Sequence, residues 1–174
     1  MLIRTAVSLG AAAVAAASPS AQAAELALKI DIPRLNVAEY HVPYVAMWLQ
    51  RAGDQGFAGH LGVWYDLKKK DNGGAKWLRD LRQWWRQAGR DAQLPIDGVT
   101  GATRAPGEHV LQLGGSRLLS SLPAGDYEIV VEAAREGGGR EVLRLPLQWP
   151  LKSAAMAKAQ GEHELGAVSL QAKP

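Results

Sequence analysis

The residues whose types and spacing suit chemistry gather in one short run, Asp97-Gly98-Val99-Thr100-Gly101-Ala102-Thr103. Its pattern is D-x-x-[S/T]-G-A-[S/T]. A threonine hydroxyl can accept a phosphoryl group, but it is a weak nucleophile and needs a base and a metal brought to it. When these come from another protein, the hydroxyl must sit on an accessible segment. Gly101 and Ala102 keep the approach to Thr103 narrow, and glycine permits a tight turn there. As plain structure, D-G and T-G are ordinary turn dipeptides.

Other chemistries are poorly provided for. Gly114-Gly115-Ser116 lacks the second glycine of a G-x-S-x-G nucleophile turn. Asp71-Asn72-Gly73-Gly74-Ala75-Lys76 has glycines and a lysine without phosphate-loop spacing. His41, His60, His109 and His163 lie far apart in sequence, with no pair at metal-ligand spacing. The chain has no cysteine, which excludes disulfides, thiolate metal sites, iron–sulfur clusters and c-type haem attachment.

The elements that must hold the run are mostly strands. In residues 25–32, Leu26, Leu28, Ile30 and Ile32 alternate with Ala27, Lys29 and Asp31, which predicts a half-buried strand ended by Pro33. Residues 41–50 are apolar on both faces and predict a central strand. The turn Arg51-Ala52-Gly53-Asp54-Gln55-Gly56 leads to a returning strand carrying Leu61, Val63, Tyr65 and Leu67. Residues 76–87 hold the one helical period. Trp77, Leu78, Leu81, Trp84 and Trp85 gather on one face, Arg79, Asp80, Arg82 and Arg86 on the other, and Gly89 is a stop. This predicts a short amphipathic helix packing its tryptophans on the sheet.

Residues 91–107 show no period and many breakers, which predicts a long exposed loop carrying the run; such loops are often functional. Further strands are predicted at 108–113, around Tyr127, Ile129, Val131 and Ala133, at 141–148 with Pro146 marking an edge, and at 166–172. A short helical turn is predicted at 153–160. About seven short strands at regular spacing predict a mostly β, immunoglobulin-like β-sandwich with one short helix and a long motif-bearing loop. Six tryptophans against one phenylalanine imply indoles at the core's edges, where their N–H groups find partners.

The first residues set the compartment. Met1-Leu2-Ile3-Arg4, an alanine-rich apolar stretch and Ala21-Gln22-Ala23 have the layout of a secretory signal peptide over 1–23. The stretch is too short to span a bilayer. Residues 24–174 are then expected to form a single sandwich domain outside the cytoplasm, with no membrane span. Losing Arg4 lowers the formal net charge from +3 to +2. Basic residues are interspersed with acids, and Lys68-Lys69-Lys70 before Asp71 reads as a solvated turn, so no nucleic-acid partner is expected.

The run at 97–103 resembles the acceptor motif of bacterial flavin transferases, which attach FMN through a phosphoester to the last Thr or Ser. The resemblance implies Thr103 as the acceptor, with Thr100, Gly101 and Ala102 completing the motif. Asp97 would hold the loop by an Asx-type bond or contact the transferase, and Arg104 would neutralise the phosphoester. More widely, residues 43–49, 76–86, 97–107 and 122–136 resemble the bacterial periplasmic proteins grouped as domain of unknown function 2271. That family implies an immunoglobulin-type sandwich, and its association with flavin transferases and PepSY-type membrane proteins implies a redox role. The expectation is a periplasmic electron carrier with covalent FMN, a substrate of a flavin transferase more than an enzyme, its ring shielded by Trp64, Trp77, Trp84 or Trp85. The alternative is a redox-inactive binding or adaptor module.

Overall fold

The computed structural model describes residues 24–174, and the expected signal peptide lies outside them. Among the described residues, nine strands form two sheets. The alternating segment becomes β1, Glu25–Ile32, with Leu26, Leu28, Ile30 and Ile32 buried. The segment apolar on both faces becomes β2, Tyr44–Arg51, and turns back into β3, Phe57–Tyr65. Then come β4, Thr100–Ala102; β5, Gly107–Gln112; β6, Gly125–Ala134; β7, Arg140–Trp149; β8, Ala155–Gln160; and β9, Ala167–Lys173. One sheet has the order β5-β1-β9-β8, the other β4-β3-β2-β6-β7. All ladders are antiparallel except β3–β4. Pro146 lies on β7, at the edge of its sheet, where a missing N–H costs least.

The chain is a mostly β sandwich. Leu28, Ile30, Val168 and Leu170 of one sheet meet Val45, Met47, Ile129 and Val131 of the other in one core. Tyr127 opens β6, and its hydroxyl donates to the Pro123 carbonyl at 2.9 Å. This is the tyrosine corner of immunoglobulin-type sandwiches, built by Leu122-Pro123-Ala124-Gly125-Asp126-Tyr127.

The five-stranded sheet is buried on its outer face as well, which is why β2 reads as apolar throughout. Ala46, Trp48, Val63, Tyr65 and Val130 pack there beneath Leu78, Leu81 and Trp84. The covering segment departs from the expected helix over 76–87. It is a 3-10 segment, Lys70–Asp80, followed by a short α1, Arg82–Gln87, with a break at Leu81 (φ −74°, ψ 71°). The buried residues Leu78, Leu81 and Trp84 recur every third position, the period of a 3-10 turn. That spacing puts Trp84 in the core and leaves Trp77 37 % exposed.

The fully buried Glu132 of β6 accepts from Gln83 N at 3.0 Å and Trp84 N at 2.8 Å. It thus satisfies donors that open α1. The Arg140 guanidinium donates to the same carboxylate at 3.0 Å.

Three further expectations are corrected. Residues 153–160 are not a helical turn: Ala155–Gln160 is strand β8, paired with β9. Ala, Met, Lys and Gln favour helix locally, but the neighbouring edge supplies hydrogen bonds that override so weak a preference. A second short helix, α2, Arg117–Ser120, is capped by Ser116, whose hydroxyl accepts from Leu119 N at 3.3 Å. The expected loop over 91–107 is interrupted by β4.

Candidate functional site

The run folds as a turn feeding an edge strand. Ile96 organises it: its carbonyl accepts from Val99 N at 3.2 Å and Thr100 N at 2.9 Å, and its N–H donates to Thr100 Oγ1 at 2.8 Å. Gly98, at the tip, has φ +67°, a conformation that favours glycine. Asp97 is exposed beside it, and the Thr100 hydroxyl makes the closing bond expected of Asp97. Val63 N then donates to Val99 O at 3.0 Å and Thr103 N to Tyr65 O at 3.2 Å, so both ends of β4 are fastened to β3. The segment remains accessible: Ala102 is exposed, and Thr100, Gly101 and Thr103 are half-buried.

Gly101 is needed for close approach and not for a turn. A Cβ there would sit 3.1 Å from Cδ1 of Trp64, tighter than ordinary contact.

β4 separates two clefts. Thr100, Gly101 and Arg104 line one of about 460 Å3 with His60, Trp64 and Arg117. The Arg104 guanidinium lies 5.2 Å from the centre of the Trp64 ring, a cation–π contact, and His109 meets the same ring edge-on at 6.0 Å. Thr103 lines the other cleft, of about 260 Å3, with Tyr44, Lys69, Trp77, Asp80 and Glu136. Lys69 Nζ lies 5.6 Å from the centre of the Trp77 ring. The motif is continuous in sequence, yet its last hydroxyl opens on a different cleft from most of the residues before it.

Burial raises the Tyr44 phenol above its ordinary pKa, so it is neutral at pH 7. Burial lowers the His60 imidazole, and its Nδ1 accepts from Trp84 Nε1 at 3.2 Å. His60 is therefore a neutral member of the wall between Phe57 and Trp84. Among the described residues, no cluster of three or more His, Asp or Glu side chains is arranged to hold a metal ion.

The family model described as a predicted periplasmic protein, DUF2271, matches residues 25–167, from β1 into the start of β9 and across the whole run. The chain belongs to DUF2271. It is thus periplasmic, the compartment the first residues led us to expect. No curated protein and no solved structure matches this DUF2271 chain. No helix among its described residues is long and apolar enough to cross a membrane.

Sequence reasoning found the run but missed the company Thr103 keeps. His41, Tyr44, Asp66, Lys69, Asp80 and Glu136 reach its cleft from segments scattered along the chain. One usable signal was present: Lys68-Lys69-Lys70 precedes Trp77 by a single 3-10 segment, close enough for a lysine to meet the indole.

Proposed function

We propose that this DUF2271 protein carries FMN in phosphoester linkage on Thr103 and passes electrons in the periplasm. The observation that supports the reading is the placement of Thr103. Its half-buried side chain, the last hydroxyl of the acceptor-like run, stands on an accessible edge strand at a cleft with aromatic walls. A transferase can reach such a segment without unfolding the sandwich.

In the attachment step, Thr103 Oγ1 attacks the FMN phosphorus of a flavin dinucleotide. The new O–P bond replaces the pyrophosphate bond, AMP leaves, and the hydroxyl proton passes to a base on the transferase. Of the residues around Thr103, one lysine and two aromatic rings suit the product, against the carboxylates of Asp66, Asp80 and Glu136. Lys69 opposes the anionic phosphodiester, and Tyr44 and Trp77 offer aromatic surface to the ring system. Bound FMN supplies the redox chemistry, and the protein supplies position and surroundings. Covalent linkage keeps the cofactor from being lost outside the cytoplasm. The proposed partners are a flavin transferase and a PepSY-type membrane redox protein.

The test is coexpression of the exported chain with a periplasmic flavin transferase. The expected product is yellow, and its flavin fluorescence stays with the protein band after denaturation. A colourless protein beside an active transferase would move the assignment to a redox-inactive binding or adaptor module.

A further inference from the structure

We propose that the layer covering the five-stranded sheet is a docking face for an anionic bilayer surface. The ground is the distribution of charge, independent of any group on Thr103. Lys70, Lys76 and Arg79 lie on the 3-10 segment, and Arg82 and Arg86 on α1. Lys68 and Lys69 lead into the segment, and Arg90 follows α1. All of these are exposed. The only acids within residues 68–90 are Asp71 and Asp80. Outside this stretch the described chain has more acids than bases, so the excess positive charge of the molecule sits in one layer.

The packing turns that charge outward. Leu78, Leu81 and Trp84 face the sheet, which leaves Arg79, Arg82 and Arg86 on the solvent side. Nor is the charge neutralised within the chain. Among the described residues, none of these lysines and arginines forms an ion pair, whereas Lys29, Arg51, Arg135, Arg140 and Arg144 each have an acidic partner.

A charged run is commonly just a solvated face. What marks this one is the apolar surface on its border. Leu67 is 47 % exposed, Trp77 37 % and Val42 36 %. Leu67 directly precedes the three lysines, and Val42 and Trp77 border one cleft with Lys69. An acidic protein needs only the cations. A bilayer interface takes both kinds of group: its phosphates attract Lys and Arg, while their aliphatic stems and neighbouring apolar side chains enter the headgroup boundary. Asp66, Asp80 and Glu136 border the same cleft and weaken the field there, so the arginines of the layer carry the test. Lys69 and Trp77 belong to the Thr103 cleft as well, so docking brings that cleft to the bilayer.

The test uses the mature protein without flavin, and vesicles of phosphatidylcholine alone or mixed with phosphatidylglycerol, with binding read by sedimentation. Wild type should bind the anionic vesicles at low salt, leave them as salt rises, and ignore the neutral ones. Each basic residue at such a surface is worth about fivefold in partitioning, so Arg79→Gln, Arg82→Gln and Arg86→Gln combined should lower it about 100-fold. Lys152→Gln, Lys158→Gln and Lys173→Gln combined remove the same charge from exposed positions around β8 and β9, and should cost no more than about threefold. Leu67→Ser keeps every charge and should weaken vesicle binding about threefold. Circular dichroism melting checks that each variant folds. The proposal is overturned if wild type binds both kinds of vesicle alike or neither, if the two triple variants lose binding equally, or if Leu67→Ser binds as wild type does. Retention on immobilised polyglutamate without vesicle binding would also overturn it and assign the face to an acidic protein.

Discussion

Thr100 and Thr103 differ in what their hydroxyls already do. Thr100 Oγ1 is engaged by Ile96 N and closes the turn, whereas the Thr103 hydroxyl has no hydrogen bond within the described chain. Thr103→Ala should therefore shift stability by no more than about 0.5 kcal/mol, while Thr100→Ala should cost about 1 kcal/mol for the lost half-buried bond. Urea midpoints for the two variants check this. Flavinylation should run the other way: abolished in Thr103→Ala, retained in Thr103→Ser, and only reduced in Thr100→Ala, where the acceptor oxygen survives on a loosened turn. The residue types of the run were legible in the sequence because its chemistry is local. The division of labour between the two threonines was not, since it depends on Ile96 and on fastening to β3. Nor was the role of Gly101, set by Trp64 from a strand far away in sequence.

At the scale of elements, strands with clear alternation were legible, and those defined by their neighbours were not. β1 agrees with its period-2 pattern, and the doubly apolar β2 lies at the centre of its sheet. β4 exists because β3 offers a free edge for parallel pairing, and β8 because β9 does. Neither edge is visible in a local window. The helical segment was found, but its phase was not, because a 3-10 period and a break at Leu81 replaced the α period.

Glu132 helps to seat that segment from the sheet beneath it. Glu132→Ala should leave Gln83 N and Trp84 N without their acceptor and Arg140 without its partner. Arg140 is 40 % exposed and water will solvate it, so the cost lies chiefly in the two backbone donors, on the order of 3 kcal/mol together. Chemical denaturation measures this, and a loss below about 0.5 kcal/mol, the scale of an ordinary surface substitution, would contradict the role.

For the molecule as a whole, the β8–β9 connection is clasped by the β6–β7 hairpin. The buried Arg135 pairs with Glu164 at 2.9 Å, and the Glu141 carboxylate accepts from the backbone N–H groups of Glu162, His163, Glu164 and Leu165 at 2.7–3.1 Å. Burial pushes the Glu141 carboxyl up, but these four donors together hold it below its ordinary value. A carboxylate depressed in the folded state contributes stability above its unfolded pKa, about 4.3 for glutamate. That contribution is lost as pH falls through the lowered folded value. Glu141→Gln should accordingly be less stable than wild type at pH 7, and the gap should narrow as pH falls below about 4. Denaturation midpoints across that range test it; a gap independent of pH would rule out the carboxylate's charge as the cause. His60 adds to acid sensitivity at higher pH, since the unfolded imidazole takes up a proton from about pH 6.5 downward before the buried one does. The sandwich was legible from strand count and turn spacing. The clasp was not, because it joins groups from three segments through backbone donors that every residue carries.

Intact-mass spectrometry of the mature protein with peptide mapping reads the proposed covalent bond at Thr103 Oγ1 most directly. After coexpression with an active exported flavin transferase, the wild type should gain the mass of one FMN less one water. The modified peptide should contain Thr103, and Thr103→Ala should show the bare mass. A wild type that stays at its bare mass, or a Thr103→Ala protein that still carries flavin, would contradict the account.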